Sequence, residues 1–141
     1  TMAIPTFSNY DGPFPNSAKK GKIYGPIPKN KKERYALAVL YTALLTVTCA
    51  DKFGSKRDLI LDGSYLRDPI FAQIVAMLCN NRRTFYDTET YGIASGAALL
   101  CFYGKKTAKL NLNKPEDIAG IPDLSIYSNK WKNLIRNQMK G

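Results

Sequence analysis

No charged residue stands between Arg34 and Asp51. The run between them, Tyr35 to Ala50, sits behind a helix-start signature. Asn30 in the N-cap position and Glu33 three residues later make a capping-box-like pair, and Gly54 follows Lys52-Phe53 as a stop. A helix that is apolar all round has to be covered by protein or by lipid. This run is shorter than the ~20 residues a membrane-spanning helix needs, and it includes Thr42, Thr46, Thr48 and Cys49. It predicts a central helix buried on most of its circumference, with a membrane segment as the poorer reading.

Downstream, Arg57-Asp-Leu-Ile-Leu-Asp-Gly-Ser-Tyr-Leu-Arg-Asp-Pro-Ile-Phe-Ala-Gln reads as a strand, a turn and a helix. Leu59 to Leu61 is an apolar run of strand length, and Gly63 permits backbone conformations that a side chain would obstruct. Asp68-Pro69 is an N-cap followed by proline in the first helical position. Turns of this kind hold phosphorylated ligands in α/β proteins, but most strand-turn-helix units bind nothing, so the pattern by itself favours a structural turn. The helix runs from Pro69 to about Cys79, with Ile70, Phe71, Ile74, Val75 and Leu78 at helical spacing. A short strand follows at Arg83-Thr-Phe-Tyr-Asp. A third helix, capped by Asp87 or Thr88, spans Glu89 to about Tyr103 and ends at Gly104.

That third helix holds Gly92, Ala94, Ser95, Gly96, Ala97 and Ala98, and each glycine costs ~1 kcal/mol of helix propensity relative to alanine. Close approach of a neighbouring backbone, or of a ligand, is the usual compensation. Pro115 and Pro122 break a lysine-rich stretch, after which Tyr127, Trp131, Leu134 and Ile135 space out one face of a final amphipathic helix. Pro5, Pro13, Pro15, Pro26 and Pro28 restrict residues 1–30 to short extended pieces and turns. The chain thus divides into a turn-rich segment (1–30), a core (31–104), and a lysine-rich loop with a terminal helix (105–141). Its few strands are too few for an independent sheet, which implies membership of something larger.

The formal charge of +10 is unevenly spread. Residues 1–32 carry six Lys and one Asp, residues 33–104 seven basic and seven acidic groups, and residues 105–141 eight basic and three acidic. A neutral core with basic flanks favours solvated lysine loops, while a small basic nucleic-acid-binding module stays as a rival reading. The absence of histidine excludes Ser-His-Asp and Cys-His catalysis and imidazole metal sites. Cys49, Cys79 and Cys101 each lie in apolar sequence and read as small buried core residues in a reducing compartment. Thr1-Met-Ala-Ile-Pro has neither a basic region nor a long apolar run, so the cytoplasm is the expected location.

Ile60-Leu-Asp-Gly-Ser-Tyr-Leu-Arg-Asp-Pro-Ile-Phe-Ala-Gln-Ile-Val-Ala, followed by Glu89-Thr-Tyr-Gly-Ile-Ala-Ser-Gly-Ala-Ala-Leu-Leu, resembles the C-terminal domain of FGGY-family carbohydrate kinases such as fuculokinases and xylulokinases. The Met2-Ala-Ile-Pro-Thr-Phe opening, the long helix from Arg34 and the closing Pro122-Asp-Leu-x-x-Tyr-x-x-x-Trp helix extend the likeness over nearly the whole chain. The resemblance implies a ribonuclease-H-like, actin-like ATPase fold, a mixed sheet with flanking helices, of which this chain is a part. It also implies ATP with Mg²⁺ as cofactors and a sugar or polyol, such as a ketopentose or 6-deoxyketose, as acceptor. Asp62 and Gly63 match the family's nucleotide turn, Ser64 stands where a second glycine is expected, and Asp68 where asparagine is expected. Serine adds a side chain at a close contact, and an ionised Asp68 repels phosphate unless it is turned inward as a helix cap.

The family's catalytic aspartate and first phosphate loop belong to an N-terminal kinase domain outside these residues. The expectation is therefore a fragment with no catalytic residue and no metal ligands of its own, inactive by itself. A pseudoenzyme or interaction fragment that kept the fold is a further alternative. Neither nucleic acid nor membrane is an expected partner, and the oligomeric state is left open.

Overall fold

The computed structural model describes residues 1–54, 56–79, 81–88, 92–105, 112–118, 121–122 and 124–140. It is α/β and forms two compact units, Thr1–Ser55 with Ile118–Gly141, and Lys56–Asp117. The compositional boundaries at residues 30 and 104 follow proline and charge, whereas these units follow packing.

In the first unit, β1 (Met2–Ile4) pairs antiparallel with β2 (Lys22–Tyr24), placing Met2 opposite Tyr24 and Ile4 opposite Lys22. Every residue of β1 is buried and every residue of β2 exposed. Between them the chain folds back on itself. The Asp11 carboxylate accepts from the Ala18 N–H at 2.7 Å and the Asn16 N–H at 2.8 Å, bonds that hold its pKa below the ordinary carboxylate value.

α1 (Lys31–Lys52) starts as its sequence predicts. Asn30 Oδ1 accepts from the Glu33 N–H at 3.0 Å, and Glu33 Oε2 reaches back to the Lys29 N–H at 2.7 Å, one residue before the usual capping-box partner. Gly54 closes the helix at φ +65°, a left-handed conformation that glycine adopts without penalty. Thr42, Thr46 and Thr48 donate their hydroxyls to the carbonyls four residues back, so the helix satisfies its own polar side chains. The expected burial is narrower than most of the circumference. Val39, Ala43, Leu44, Val47 and Ala50 form one buried stripe, while Tyr35 is 51% exposed. The stripe packs on β1, and a two-stranded sheet offers a helix only one face to cover.

α4 (Leu124–Lys140) docks by one face, with Trp131 and Ile135 buried and Tyr127 and Leu134 half-buried. It also meets the open edge of β1. Tyr127 Oη donates to the Thr1 carbonyl at 2.8 Å, Trp131 Nε1 to the Ala3 carbonyl at 2.7 Å, and Gln138 Nε2 to the Pro5 carbonyl at 2.8 Å. Alternate residues of a strand point their carbonyls to the same side, so these donors stand where another strand would have been. Burial raises the pKa of the Tyr127 phenol, which keeps it a donor.

In the second unit, β3 (Leu59–Leu61) and β4 (Thr84–Tyr86) pair in parallel, with Leu61 opposite Tyr86. α2 (Ile70–Leu78) covers β4 with Phe71, Ala72, Ile74 and Val75 buried. Among the described residues the strands form two two-stranded sheets, one antiparallel and one parallel. α4 side chains occupy the edge through which β1 would have added a strand.

α3 (Gly92–Leu100) is shorter than the predicted Glu89 to Tyr103. Residues 89–91 lie outside the described residues. Beyond Leu100 the chain tightens into turns, with the Tyr103 N–H donating to the Leu100 carbonyl at 3.2 Å and Gly104 at φ +82°. Cys101 in that turn is exposed, against the expectation of a buried thiol; Cys49 is half-buried and Cys79 buried. Among the described residues, no helix is long and apolar enough to cross a membrane.

Trp131→Phe keeps a ring but leaves the Ala3 carbonyl without its donor, and is expected to cost about 1–3 kcal/mol in urea unfolding. Trp131→Ala also empties the core and should cost about 3–5 kcal/mol. No loss in Trp131→Phe would show that the hydrogen bond contributes nothing.

Candidate functional site

β3 ends in a turn whose shape is set by one glycine. Gly63 lies at φ 125° and ψ 174°, a region that residues with a Cβ scarcely enter. Ser64–Arg67 then form a turn of 3₁₀-helix, closed by the Leu66 N–H donating to the Gly63 carbonyl at 3.1 Å. The strand-to-helix junction predicted from sequence therefore contains an extra helical turn. Leu66, 2% exposed, pins that turn to the unit's interior, and the Tyr65 ring tilts against Phe71 at 5.5 Å.

Asp68 holds the helix entry much as its sequence predicts, although it is the Pro69 carbonyl, not that of Asp68, that takes the first intrahelical bond, from the Gln73 N–H at 3.0 Å. Asp68 is extended, Pro69 is helical, and Asp68 Oδ1 accepts from the Ile70 N–H at 3.0 Å. The carboxylate is thereby directed at the start of α2.

Asp62, Gly63 and Ser64 are brought together, all exposed, at the carboxyl end of a parallel strand pair, the end at which open α/β sheets place ligands. No atom lies within 4 Å of where a Gly63 Cβ would be, so the turn presents bare backbone to open space. Asp68 belongs to the same turn but is committed to capping.

A residue that the motif reading placed only in a small-residue stripe proves to touch this turn. A Cβ built on Gly92 would overlap the Asp62 carboxylate, so with glycine at 92 the Asp62 side chain can lie against α3 in this conformation. Gly96, by contrast, faces open space, and Ala94 and Ala97 are exposed. Close approach explains one glycine of the stripe and not the other. The low helix propensity of glycine was the available signal, and it could not say which glycine mattered.

β4 is tied on its far side to a later segment, with Tyr86 and Asn113 exchanging backbone hydrogen bonds at 2.9 Å. Arg83 forms a two-pronged pair with Asp58, Nε to Oδ1 at 3.0 Å and Nη2 to Oδ2 at 2.7 Å, which raises the guanidinium pKa. The pair is solvent-exposed, so its contribution to stability is small. Among the described residues no group of three acidic or sulfur side chains converges to hold a metal.

A parallel strand, a glycine turn and a following helix, with a second helix starting against the turn, define an α/β domain with its candidate site on the strand ends. Residues 1–110 match the profile of the FGGY carbohydrate kinase C-terminal domain, and the chain belongs to that family. Among solved structures, a carbohydrate kinase from Novosphingobium aromaticivorans superposes with a TM-score of 0.74 at 24% identity, a likeness of fold. The match covers 96% of this chain and 28% of that one, so this chain spans under a third of the neighbour's length. No curated protein matches the sequence.

Gly63→Ala should destabilise the chain by about 1–3 kcal/mol through backbone strain. Asp68→Ala should cost about 1 kcal/mol and speed amide exchange at Ile70, whereas Asp68→Asn, an equally good cap, should leave that exchange nearly unchanged. Matching exchange rates in the two Asp68 variants would dismiss the capping role.

Proposed function

We propose that this chain is the nucleotide-side, C-terminal domain of an ATP-dependent carbohydrate kinase with the ribonuclease-H-like fold of the actin-like ATPases. The observation that carries this reading is the exposed Gly63 turn at the strand ends, lying inside the stretch that defines the family.

The residues present fit a nucleotide. Gly63 lets a ligand approach the backbone where a Cβ would have stood, and the Ser64 hydroxyl offers one donor or acceptor beside it. The Asp62 carboxylate lies next to Gly92 at the mouth of the turn. Asp68, the residue whose charge most opposes a phosphate, keeps its Oδ1 on the Ile70 amide, which directs the carboxylate to the helix start but leaves its charge in place. ATP brings the phosphoryl group to be transferred, and Mg²⁺, which keeps most of its coordination to phosphates and water, neutralises its charge.

Phosphoryl transfer relies on positioning and on charge stabilisation from both walls of a cleft. In this reading the Asp62–Asp68 turn forms one wall, and the aspartate that activates the sugar or polyol hydroxyl lies in the N-terminal domain of a longer protein. These 141 residues bind nucleotide weakly and transfer nothing.

Calorimetric titration of MgATP into the chain should give weak, saturable binding. The Ser64→Gly/Asp68→Asn pair should tighten it on the order of tenfold, equivalent to about 1.4 kcal/mol. Ketopentoses, 6-deoxyketoses and polyols should remain unphosphorylated. Measurable phosphoryl transfer by the isolated chain, or no MgATP binding to either form, would overturn the assignment.

A further inference from the structure

We propose that Asp62-Gly63 is a site of spontaneous backbone isomerisation, at which the Asp62 carboxyl and the Gly63 amide close to a cyclic imide that reopens as isoaspartate. The chain holds two Asp-Gly pairs, Asp11-Gly12 and Asp62-Gly63, and no Asn-Gly. The ring closes through the backbone nitrogen of the second residue, where a side chain would crowd it and glycine does not. The two pairs share this chemistry. Their surroundings separate them.

Asp11-Gly12 is held. Asp11 Oδ1 accepts from the Ala18 N–H at 2.7 Å and Oδ2 from the Asn16 N–H at 2.8 Å, and these bonds keep its pKa below the ordinary carboxylate value, against the protonated form that ring closure consumes. Its main-chain carbonyl, in the same peptide plane as the Gly12 nitrogen, accepts from the Phe14 N–H and from the Thr6 hydroxyl, both at 3.2 Å. For the ring to close, carboxylate and peptide plane must leave their donors.

Asp62-Gly63 is held at neither place. Among the described residues, no hydrogen bond or ion pair reaches the Asp62 carboxylate, the Asp62 carbonyl or the Gly63 N–H. Both residues are exposed, and the space where a Gly63 Cβ would stand is open, so a turning peptide plane has room. Across the turn the carboxylate lies next to Gly92, which has no side chain to wedge it in place.

Closure forms a bond from the Gly63 nitrogen to Asp62 Cγ and expels the carboxyl hydroxyl with the amide proton as water. Water then adds at either imide carbonyl. Opening at the main-chain carbonyl breaks the original peptide bond and leaves the chain running through Asp62 Cβ and Cγ, one methylene longer, with the former peptide carbonyl as a carboxylate. Nothing is oxidised or reduced. The conversion is a property of the turn and stands whether or not a nucleotide binds there.

The 141-residue chain, aged at neutral pH in water enriched in heavy oxygen and then digested with trypsin in ordinary water, gains one heavy oxygen at each imide hydrolysis. Heavy oxygen and isoaspartate, located by electron-transfer fragmentation, are expected at residue 62 in the peptide 58–67. Asp11, in the peptide 1–19, should label about tenfold more slowly, because it must first break hydrogen bonds to a charged group. In guanidinium chloride the two rates should converge. No label at Asp62, equal labelling of Asp11 and Asp62 in the folded chain, or the same difference persisting in the unfolded chain would each overturn the proposal.

Discussion

The first unit depends on a strand edge that is completed by side chains. β1 is fully buried and paired with β2 on one side, and the carbonyls along its other side take side-chain donors, the one at Ala3 in a buried setting that water does not reach. Tyr127, Trp131 and Gln138 supply them to Thr1, Ala3 and Pro5, joining residues 126 to 133 positions apart in sequence. Each such bond adds only about 1 kcal/mol net, but a buried carbonyl left without a partner costs about 1–3 kcal/mol. The terminal helix is therefore a structural completion of the first strand. The same arrangement keeps this sheet at two strands, because the edge that would have accepted another is already taken.

The second unit solves a different problem, which is how to leave backbone exposed without losing the turn. Gly63 takes a conformation closed to other residues, Leu66 anchors the 3₁₀ turn from below, and Asp68 fixes the start of α2. The exposed part, Asp62 to Ser64, is thus held between a buried side chain and a cap. Gly92 completes the setting by leaving room for the Asp62 side chain against α3.

Asp68 shows how a residue's identity and its role can diverge. An ionised carboxylate would be unfavourable beside a phosphate, whereas at a helix start it is among the best residues available. The geometry selects the second role, with Oδ1 on the Ile70 amide. Ser64 is an exposed side chain next to Gly63 in the same turn.

Much of this was legible in the sequence because it is local. The Asn30–Glu33 start and Gly54 stop of α1, the Asp68-Pro69 start of α2, the strand at Leu59–Leu61 and the docking face of α4 all follow from backbone chemistry within a few residues. Motif order pointed to the family, and the match over residues 1–110 agrees with it. What only the tertiary structure decided is which groups meet across long separations: that α4 completes the edge of β1, that the strands fall into two sheets, that α1 buries one stripe, that Cys101 is exposed, and that Gly92 rather than Gly96 faces Asp62. Local sequence sets the conformation of an element, but the partner of a free carbonyl or a bare glycine is set by packing, and packing is decided by residues elsewhere in the chain.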